Sequence, residues 1–442
     1  MYLNRLIDKE LLYWKNEKEH KPILLRGARQ VGKSSSVRKL AEKFDFYIEV
    51  NFEKDYKIHN YFASDFNVKE ICDQISIHYK TPITPNKTLL FFDEIQACPR
   101  AISALRFFYE DYPELHVIAA GSLLEFAFEN LPSFGVGRID SIFMYPFSFQ
   151  EFMNACGENL LWNEICKSSP EKPLFSVLHE SSITLLKKFL VLGGMPAVVA
   201  KYVQNRDTLA AQNELDKLII SLKSDFSKYK LRVPELRISS VFEAVVKQSG
   251  GCFNYAKVDN LHFRQTKESL ELLKKAGIVI PIINTSAHGI PLGAGANFKK
   301  QKMLLLDTGI FQRILGIDIV DLILSNDFEV VNKGFIAEQF AGLELLKSSS
   351  CFMPMDLYFW THDNSQSRAE VDYVIQQNEK IIPIEVKAGT SGKMQSMHLF
   401  LKEKNSEYGI RTSLENFATY DKIKVYPLYA IGNLISKKYH TK

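Results

Sequence analysis

The chain has 442 residues, of which 46% are hydrophobic and 24% charged, and a formal net charge of +4. Such a length exceeds one ordinary core, so roughly two to three domains are expected, and the composition excludes long disorder. So mild a positive charge permits a nucleic-acid partner without demanding one, because local patches decide such binding.

Cys72, Cys98, Cys156, Cys166, Cys252 and Cys351 are scattered and form no C-x-x-C pair. That argues against a zinc site or a disulfide framework and for reduced thiols in the cytoplasm. The longest uncharged apolar stretch, Phe189 to Ala200, is too short to span a bilayer and contains Gly193, Gly194 and Pro196, so no membrane partner is expected. Asp8 and Glu10 follow the opening Met1-Tyr-Leu-Asn-Arg5 without an apolar signal core, so no export is expected.

Residues 1–150 read as alternating strand and helix, the pattern of a mainly parallel sheet covered on both faces. The first apolar run, Pro22-Ile-Leu-Leu-Arg26, leads into Gly27-Ala28-Arg29-Gln30-Val31-Gly32-Lys33-Ser34, the spacing G-x-x-x-x-G-K-[ST]. Val37, Leu40, Ala41 and Phe44 then follow at the spacing of a helix face. A strand before and a helix after are what a phosphate-cradling loop needs, and they disfavour a plain glycine-rich turn. Gly27 to Ser35 is thus the expected ATP-binding segment, with Lys33 reaching the terminal phosphates and Ser34 offering its hydroxyl to Mg2+.

Phe46-Tyr-Ile-Glu-Val-Asn-Phe52 is the next strand candidate. Thr88-Leu-Leu-Phe-Phe-Asp93-Glu94-Ile95 is a buried one, whose two acids emerge at the end where open α/β sheets place ligands. Asp93 is positioned to hold Mg2+, and Glu94 to activate the attacking water as general base. His116-Val-Ile-Ala-Ala-Gly121 ends in Ser122, which either senses the γ-phosphate or caps the following helix. Arg138, ahead of Ser141-Ile-Phe-Met-Tyr-Pro146, either stabilises transition-state charge, in cis or from a neighbouring subunit, or is a surface arginine. For Arg29, inside the loop, similar work and a pairing with a nearby acid are both open.

These residues carry a resemblance. Arg26 to Ser34, Leu90-Phe-Phe-Asp-Glu-Ile-Gln96, Ala120-Gly-Ser122, Gly137-Arg138 and Tyr145-Pro-Phe-Ser-Phe-Gln-Glu-Phe152 resemble the AAA-type ATPase domain of a large prokaryotic group of P-loop proteins. The resemblance implies a sheet in which a further strand separates the phosphate-loop strand from the Asp-Glu strand. It also implies the usual roles for Lys33, Ser34, Asp93 and Glu94, and with Arg138 acting in trans it makes a homo-oligomer an expectation.

Residues 151–325 turn mostly helical. Gly193-Gly-Met-Pro-Ala197 and Lys302-Met-Leu-Leu-Leu-Asp-Thr-Gly309 are similar to stretches of the same group, and Asp307 has no chemical role in this reading. Leu261, Thr266, Leu270, Leu272 and Leu273 follow helical spacing and precede the apolar Ile278-Val-Ile-Pro-Ile-Ile283. That order, helix, helix, strand wing, is the winged-helix arrangement, which would offer Arg264, Lys267, Lys274 and Lys275 to DNA. A merely solvated helix face is the other reading of those residues.

Residues 326–442 hold a second acidic cluster. Val371 to Gln376 and Ile381 to Lys387 are strand candidates around Asn378 and Glu379. A two-residue turn there pairs Val371 with Val386, Tyr373 with Ile384 and Ile375 with Ile382 on an apolar face. The other face then opposes Asp372 to Glu385, with Lys387 alongside. Two opposed carboxylates want a proton or a cation. A divalent ion, Mg2+ or Mn2+, held by Asp372 and Glu385, with Lys387 beside the nucleophile, is an arrangement for phosphodiester hydrolysis. Leu357-Tyr-Phe-Trp360, Glu370-Val-Asp-Tyr373, Pro383-Ile-Glu-Val-Lys-Ala388 and Glu338, on Gly334-Phe-Ile-Ala-Glu-Gln-Phe340, resemble the PD-(D/E)XK nuclease fold. Val371 stands where that motif has Pro. A salt-bridged Asp372–Lys387 core without cleavage is the competing reading.

The expected architecture is therefore α/β: an AAA-like P-loop sheet over 1–150, a helical and winged-helix-like region over 151–325, and a nuclease-like α/β domain over 326–442. The expected function is Mg2+-dependent ATP binding and hydrolysis coupled to a DNA-directed C-terminal domain. The alternative is an ATP-driven switch whose C-terminal domain only binds a protein or nucleic acid.

Overall fold

The computed structural model describes residues 1–63, 66–122, 124–128, 135, 137–229, 233–316, 334–362, 369–387 and 394–436. They form two units: Met1–Tyr145 with Lys275–Gly277 and Cys351–Met353, and Pro146–Lys274 with Ile278–Ser350 and Pro354–Lys442.

The first unit is built on five parallel strands: β1 (Ile23–Arg26), β2 (Phe46–Asn51), β3 (Thr88–Asp93), β4 (His116–Ala120) and β5 (Asp140–Phe143). Their order is β2-β3-β4-β1-β5, so β4 separates the phosphate-loop strand from the Asp-Glu strand, as the resemblance implied. Every residue of β3 and β4 is buried, because helices cover a parallel sheet on both faces and leave its central strands no polar side. Leu24, Leu90, Phe92, Val117 and Ala119 join Ile71, Ile75, Leu105 and Phe108 from the flanking helices Val68–Tyr79 and Pro99–Asp111 in one core. A sheet wound this way gathers the C-terminal ends of neighbouring strands into one crevice.

The second unit opens with helix Phe149–Cys156, started by a capping box in which Ser148 and Glu151 satisfy each other's backbone amides. Helices then run to Phe263–Lys275, and an eight-stranded mixed sheet follows. Its strands are β6 (Val279–Thr285), β7 (Ala296–Leu305), β8 (Leu357–Thr361), β9 (Glu370–Gln377), β10 (Lys380–Val386), β11 (Gly409–Ser413), β12 (Ala418–Tyr420) and β13 (Ile423–Pro427). They lie in the order β12-β13-β11-β10-β9-β8-β6-β7. Helix, helix and hairpin do follow one another at Glu235–Lys247, Phe263–Lys275 and β6–β7. The hairpin does not stand off as a free wing, however: β6 pairs in parallel with β8, and the sheet continues past residue 325, where the sequence suggested a boundary.

Asp307 acquires a structural role. It is fully buried, caps helix Thr308–Ile314 through the Ile310 amide, and accepts a 2.6 Å hydrogen bond from the Gly194 amide. A Cβ on Gly193 would lie 2.1 Å from its carboxylate, which is why the Gly-Gly stretch and the Asp-Thr-Gly stretch belong together.

Candidate functional site

β3, β4 and β1 are neighbours, so Asp93–Glu94, Gly121–Ser122 and the phosphate loop emerge side by side. Gly27 and Gly32 take φ of +139° and +99°, and a Cβ on Gly27 would lie 2.2 Å from the Met144 carbonyl oxygen. The loop backbone therefore requires glycine at both positions. Ala28 and Val31 are buried beneath the loop, Gln30 is exposed, and Ser35 is exposed on the first turn of helix Lys33–Ala41. Arg29 Nη2 stands 3.9 Å from Glu53 Oε1, the acid pairing left open by the sequence.

Lys33 Nζ donates to the Gly27 and Ala28 carbonyls, each at 2.8 Å. Burial pulls its pKa down to about 8, while Glu94 and Asp93 hold it up. An ammonium buried against neutral carbonyls is short of counter-charge, and a polyphosphate supplies it. Ser34 Oγ donates to Asp93 Oδ1 at 2.9 Å, and Asn51 Nδ2 donates to Asp93 Oδ2 at 3.1 Å. Burial pushes the Asp93 carboxyl above its usual range, against the lowering effect of the Ser34 hydrogen bond. A hydroxyl and a carboxylate in contact are hard oxygen donors of the kind Mg2+ takes, so these residues fit that ion beside a nucleotide.

Glu94 takes a left-handed φ of +51°, and its Oε2 accepts a 2.6 Å hydrogen bond from Gln96 Nε2. Ser122 is 7% exposed, and its Oγ is buried without a hydrogen-bond partner, so it does not cap the helix Leu124–Phe128. Arg138 is half exposed and pairs with Glu110 Oε1 at 3.0 Å. Three further residues belong here that the sequence reading assigned no role. Arg5 Nη1 and Nη2 donate to the Val31 and Tyr145 carbonyls at 2.9 and 2.8 Å, clamping the loop, while Asn51 and Gln96 hold the two acids. Asn51 was findable, as the last residue of a strand that ends beside Asp93. Arg5 was not, because its partners are backbone oxygens remote in sequence.

Residues 19–153 match the sequence model of a family described as AAA domain. Over that stretch the chain is similar to AAA-type P-loop ATPase domains. Downstream of that stretch, residues 183–320 and 333–431 match two models described as Domain of unknown function (DUF8612) and Domain of unknown function (DUF4143). No curated protein matches. Among solved structures, a Walker-type ATPase of Pyrococcus abyssi is similar at 16% identity and a TM-score of 0.44, over 72% of this chain and 96% of that one. The Aeropyrum pernix ORC1 protein in complex with DNA is similar at 12% identity and a TM-score of 0.31, over 71% and 93%. At these scores neither likeness adds to the domain match.

In the second unit the hairpin takes the register expected from its alternation: Tyr373 faces Ile384, Ile375 faces Ile382 and Gln377 faces Lys380, turning through Asn378 at φ +54°. Pro383 is accommodated because β11 pairs with β10 only from Ile384 onward. Asp372 Oδ2 accepts from the Val386 amide at 2.8 Å, and Lys387 Nζ donates to Glu385 Oε1 at 2.7 Å. The sequence offered Asp372 and Lys387 as an ion pair; Lys387 pairs with Glu385 instead. The cation nearest Asp372 is Lys302 of β7, absent from the sequence reading of this site. Its Nζ lies 2.7 Å from Glu338 Oε1, 2.5 Å from Glu370 Oε1 and 4.0 Å from Asp372 Oδ1, with the side chain 2% exposed.

The electrostatics follow from burial. It pushes Glu338 and Glu385 up to about 7 and raises Asp372, while Lys302 lowers Glu338 and Asp372 in part. Burial acts to lower Lys302 as well, but Glu338, Asp372 and Glu370 outweigh it and raise its pKa. Glu385 Oε2 is buried without a hydrogen-bond partner. Among the described residues, no group of three or more His, Cys, Asp or Glu side chains is arranged to hold a metal ion.

Helix Phe263–Lys275 presents Arg264 with its side chain 90% exposed, paired to Glu268 at 3.2 Å, and exposes Lys267. Lys274 turns inward to Glu271 and Gln301. Phe298 and Lys299 are exposed on β7. No described helix is long and apolar enough to cross a membrane.

Proposed function

We propose that the chain hydrolyses ATP with Mg2+ at the phosphate loop, and that nucleotide state governs a DNA-directed second unit. The observation that carries the ATPase reading is the Ser34–Asp93 hydrogen bond with Glu94 next in sequence on the same strand end. Ser34 and Asp93 would hold Mg2+, which neutralises charge on the phosphates when bound. Lys33 exchanges its two carbonyl partners for phosphate oxygens, and Glu94 takes the proton of the attacking water. The orphaned Ser122 hydroxyl supports a contact with the terminal phosphate. Arg138, exposed, supports at most a charge-stabilising role from a second copy of the chain. Purified Lys33→Ala should lose nucleotide binding, whereas Glu94→Gln should bind ATP normally and hydrolyse it about 100-fold or more slowly. Normal turnover by Glu94→Gln removes the base assignment.

For the second unit, Arg264, Lys267, Lys299 and Phe298 are exposed basic and aromatic side chains, which supports binding to nucleic acid. The nuclease-like reading keeps Glu338, Asp372, Glu385 and Lys387 around Mg2+ or Mn2+. One observation favours the second reading, a domain that binds without cutting: Lys302 already supplies a cation to Glu338, Glu370 and Asp372. Plasmid DNA incubated with the protein, ATP and Mn2+ separates the two. Cleavage abolished by Asp372→Asn establishes the nuclease; retarded migration without cleavage supports the binding domain.

A further inference from the structure

Gln96 occupies a position that the ATPase reading leaves without a role. It lies in the single turn Ile95–Ala97 after β3, two residues beyond Glu94, and its Nε2 donates to Glu94 Oε2 at 2.6 Å. A primary amide has two ends, and the other end is unusual here: Gln96 Oε1 is buried with no hydrogen-bond partner. An unpaired buried oxygen is unfavourable, so a glutamine kept in this pose is doing something a swing into solvent would undo.

The neighbouring strand explains what fixes the pose. A Cβ built on Gly121, at the end of β4, would lie 2.2 Å from Gln96 Oε1. The amide therefore rests against the bare Cα of Gly121, and the next residue, Ser122, carries the second buried and unpartnered oxygen of this strand end. Glu94, Gln96, Gly121 and Ser122 form one row from the acid after β3 to the hydroxyl after β4. The left-handed φ of Glu94, +51°, adds that its backbone is itself held in a sparsely populated conformation.

We infer that Gln96 is the positioning residue of Glu94, and that Gly121 is glycine so that Gln96 can reach it. The inference rests on the proposed base role of Glu94. Donation from Nε2 fixes which carboxylate oxygen faces the amide and leaves the other free to meet water. The same bond ties the carboxylate's direction to the end of β4, where Ser122 stands beside the phosphate loop.

The test is steady-state hydrolysis by the full chain with Mg2+-ATP, over a pH series, alongside fluorescent-nucleotide binding. Gln96→Ala should lower kcat on the order of 10- to 100-fold, the scale of a misplaced catalytic group, with nucleotide affinity unchanged. Gly121→Ala should lower kcat similarly, by pushing the amide aside, and the double variant should be no worse than Gln96→Ala alone. Gln96→Glu places a second carboxylate beside the first, so the acid limb of its kcat profile should move to higher pH. A merely structural glutamine would not move the limb, nor lower kcat at unchanged nucleotide affinity.

Wild-type kcat and pH limb in Gln96→Ala, or a loss confined to nucleotide affinity, overturns the inference while leaving Glu94 as base. Normal turnover by Glu94→Gln instead overturns the base assignment and this inference with it. Should Gln96→Ala fail to fold, Gln96→Glu, which keeps the shape, carries the same pH readout.

Discussion

Ser34 Oγ donates a 2.9 Å hydrogen bond to Asp93 Oδ1. Asn51 holds the other carboxylate oxygen at 3.1 Å, so Asp93 keeps its orientation when Ser34 turns away. Asp93→Asn should leave ATP affinity in EDTA unchanged and cancel the gain in affinity on adding Mg2+, by about tenfold, or ~1.4 kcal/mol. Titration with a fluorescent nucleotide, with and without Mg2+, measures it. An unaltered Mg2+ effect would take Asp93 out of the ion's reach.

Lys33 carries a charge that responds to pH. Its ammonium, with a pKa lowered to about 8 by burial, is half deprotonated at that pH and loses the rest of its charge above it, whereas bound phosphate favours the charged form. Nucleotide affinity should therefore weaken as pH rises from 8 to 10 and be flat between 6 and 7. Binding at pH 8.5 should also take up protons. Calorimetry in two buffers of different ionisation enthalpy reads that uptake directly.

Lys302 supplies its one positive charge to three carboxylates, of which Glu338 and Asp372 have little access to water. Lys302→Met should destabilise the second unit by about 3–5 kcal/mol at pH 8, because it strands those charges. The loss should shrink at pH 5, where Glu338, already pushed up to about 7, is protonated in the variant. Urea denaturation at both pH values tests this. Equal destabilisation at pH 5 and 8 would mean that packing, not charge, is what Lys302 contributes.

Glu344 gives a separate pH dependence. Buried on helix Gly334–Lys347, it accepts from the Phe149 amide at 3.0 Å, faces Lys347 at 3.7 Å and Glu151 further off, and is raised from 4.5 to about 7 by burial. The folded state keeps this proton to higher pH than the unfolded chain does. Stability is thus lost as pH rises from 4.5 to 7 and levels above, by about 3 kcal/mol at 1.36 per pH unit. Glu344→Gln should flatten that part of the curve in thermal melts at pH 5 and 8.

How much of this was legible beforehand depended on how local the cause was. The phosphate loop, β3 with its two acids, and the β9–β10 register all follow from patterns within a few residues: glycine spacing, an apolar run, alternation. Lys302 was not legible as part of a site. It reads as the polar start of an apolar strand, and the acids that explain it stand on a helix 36 residues on and on β9. Asp307 was visible as a motif without a purpose, because its partner is a glycine amide 113 residues away. The wing was visible as the apolar run Ile278 to Ile283, but not that β8 would pair with it, since strand order across a sheet is a long-range property.

The edge position of β7 has a practical consequence for anyone dividing this chain. A cut at residue 325, the boundary that composition invites, would remove β6 and β7 from the sheet and leave β8 as an open edge. The same cut would remove Lys302 from Glu338, Glu370 and Asp372. The C-terminal fragment would then be insoluble or would bind foreign cations at three abandoned carboxylates. Activity assays on such a fragment would report on the cut. A fragment meant to answer for this sheet has to begin ahead of Val279.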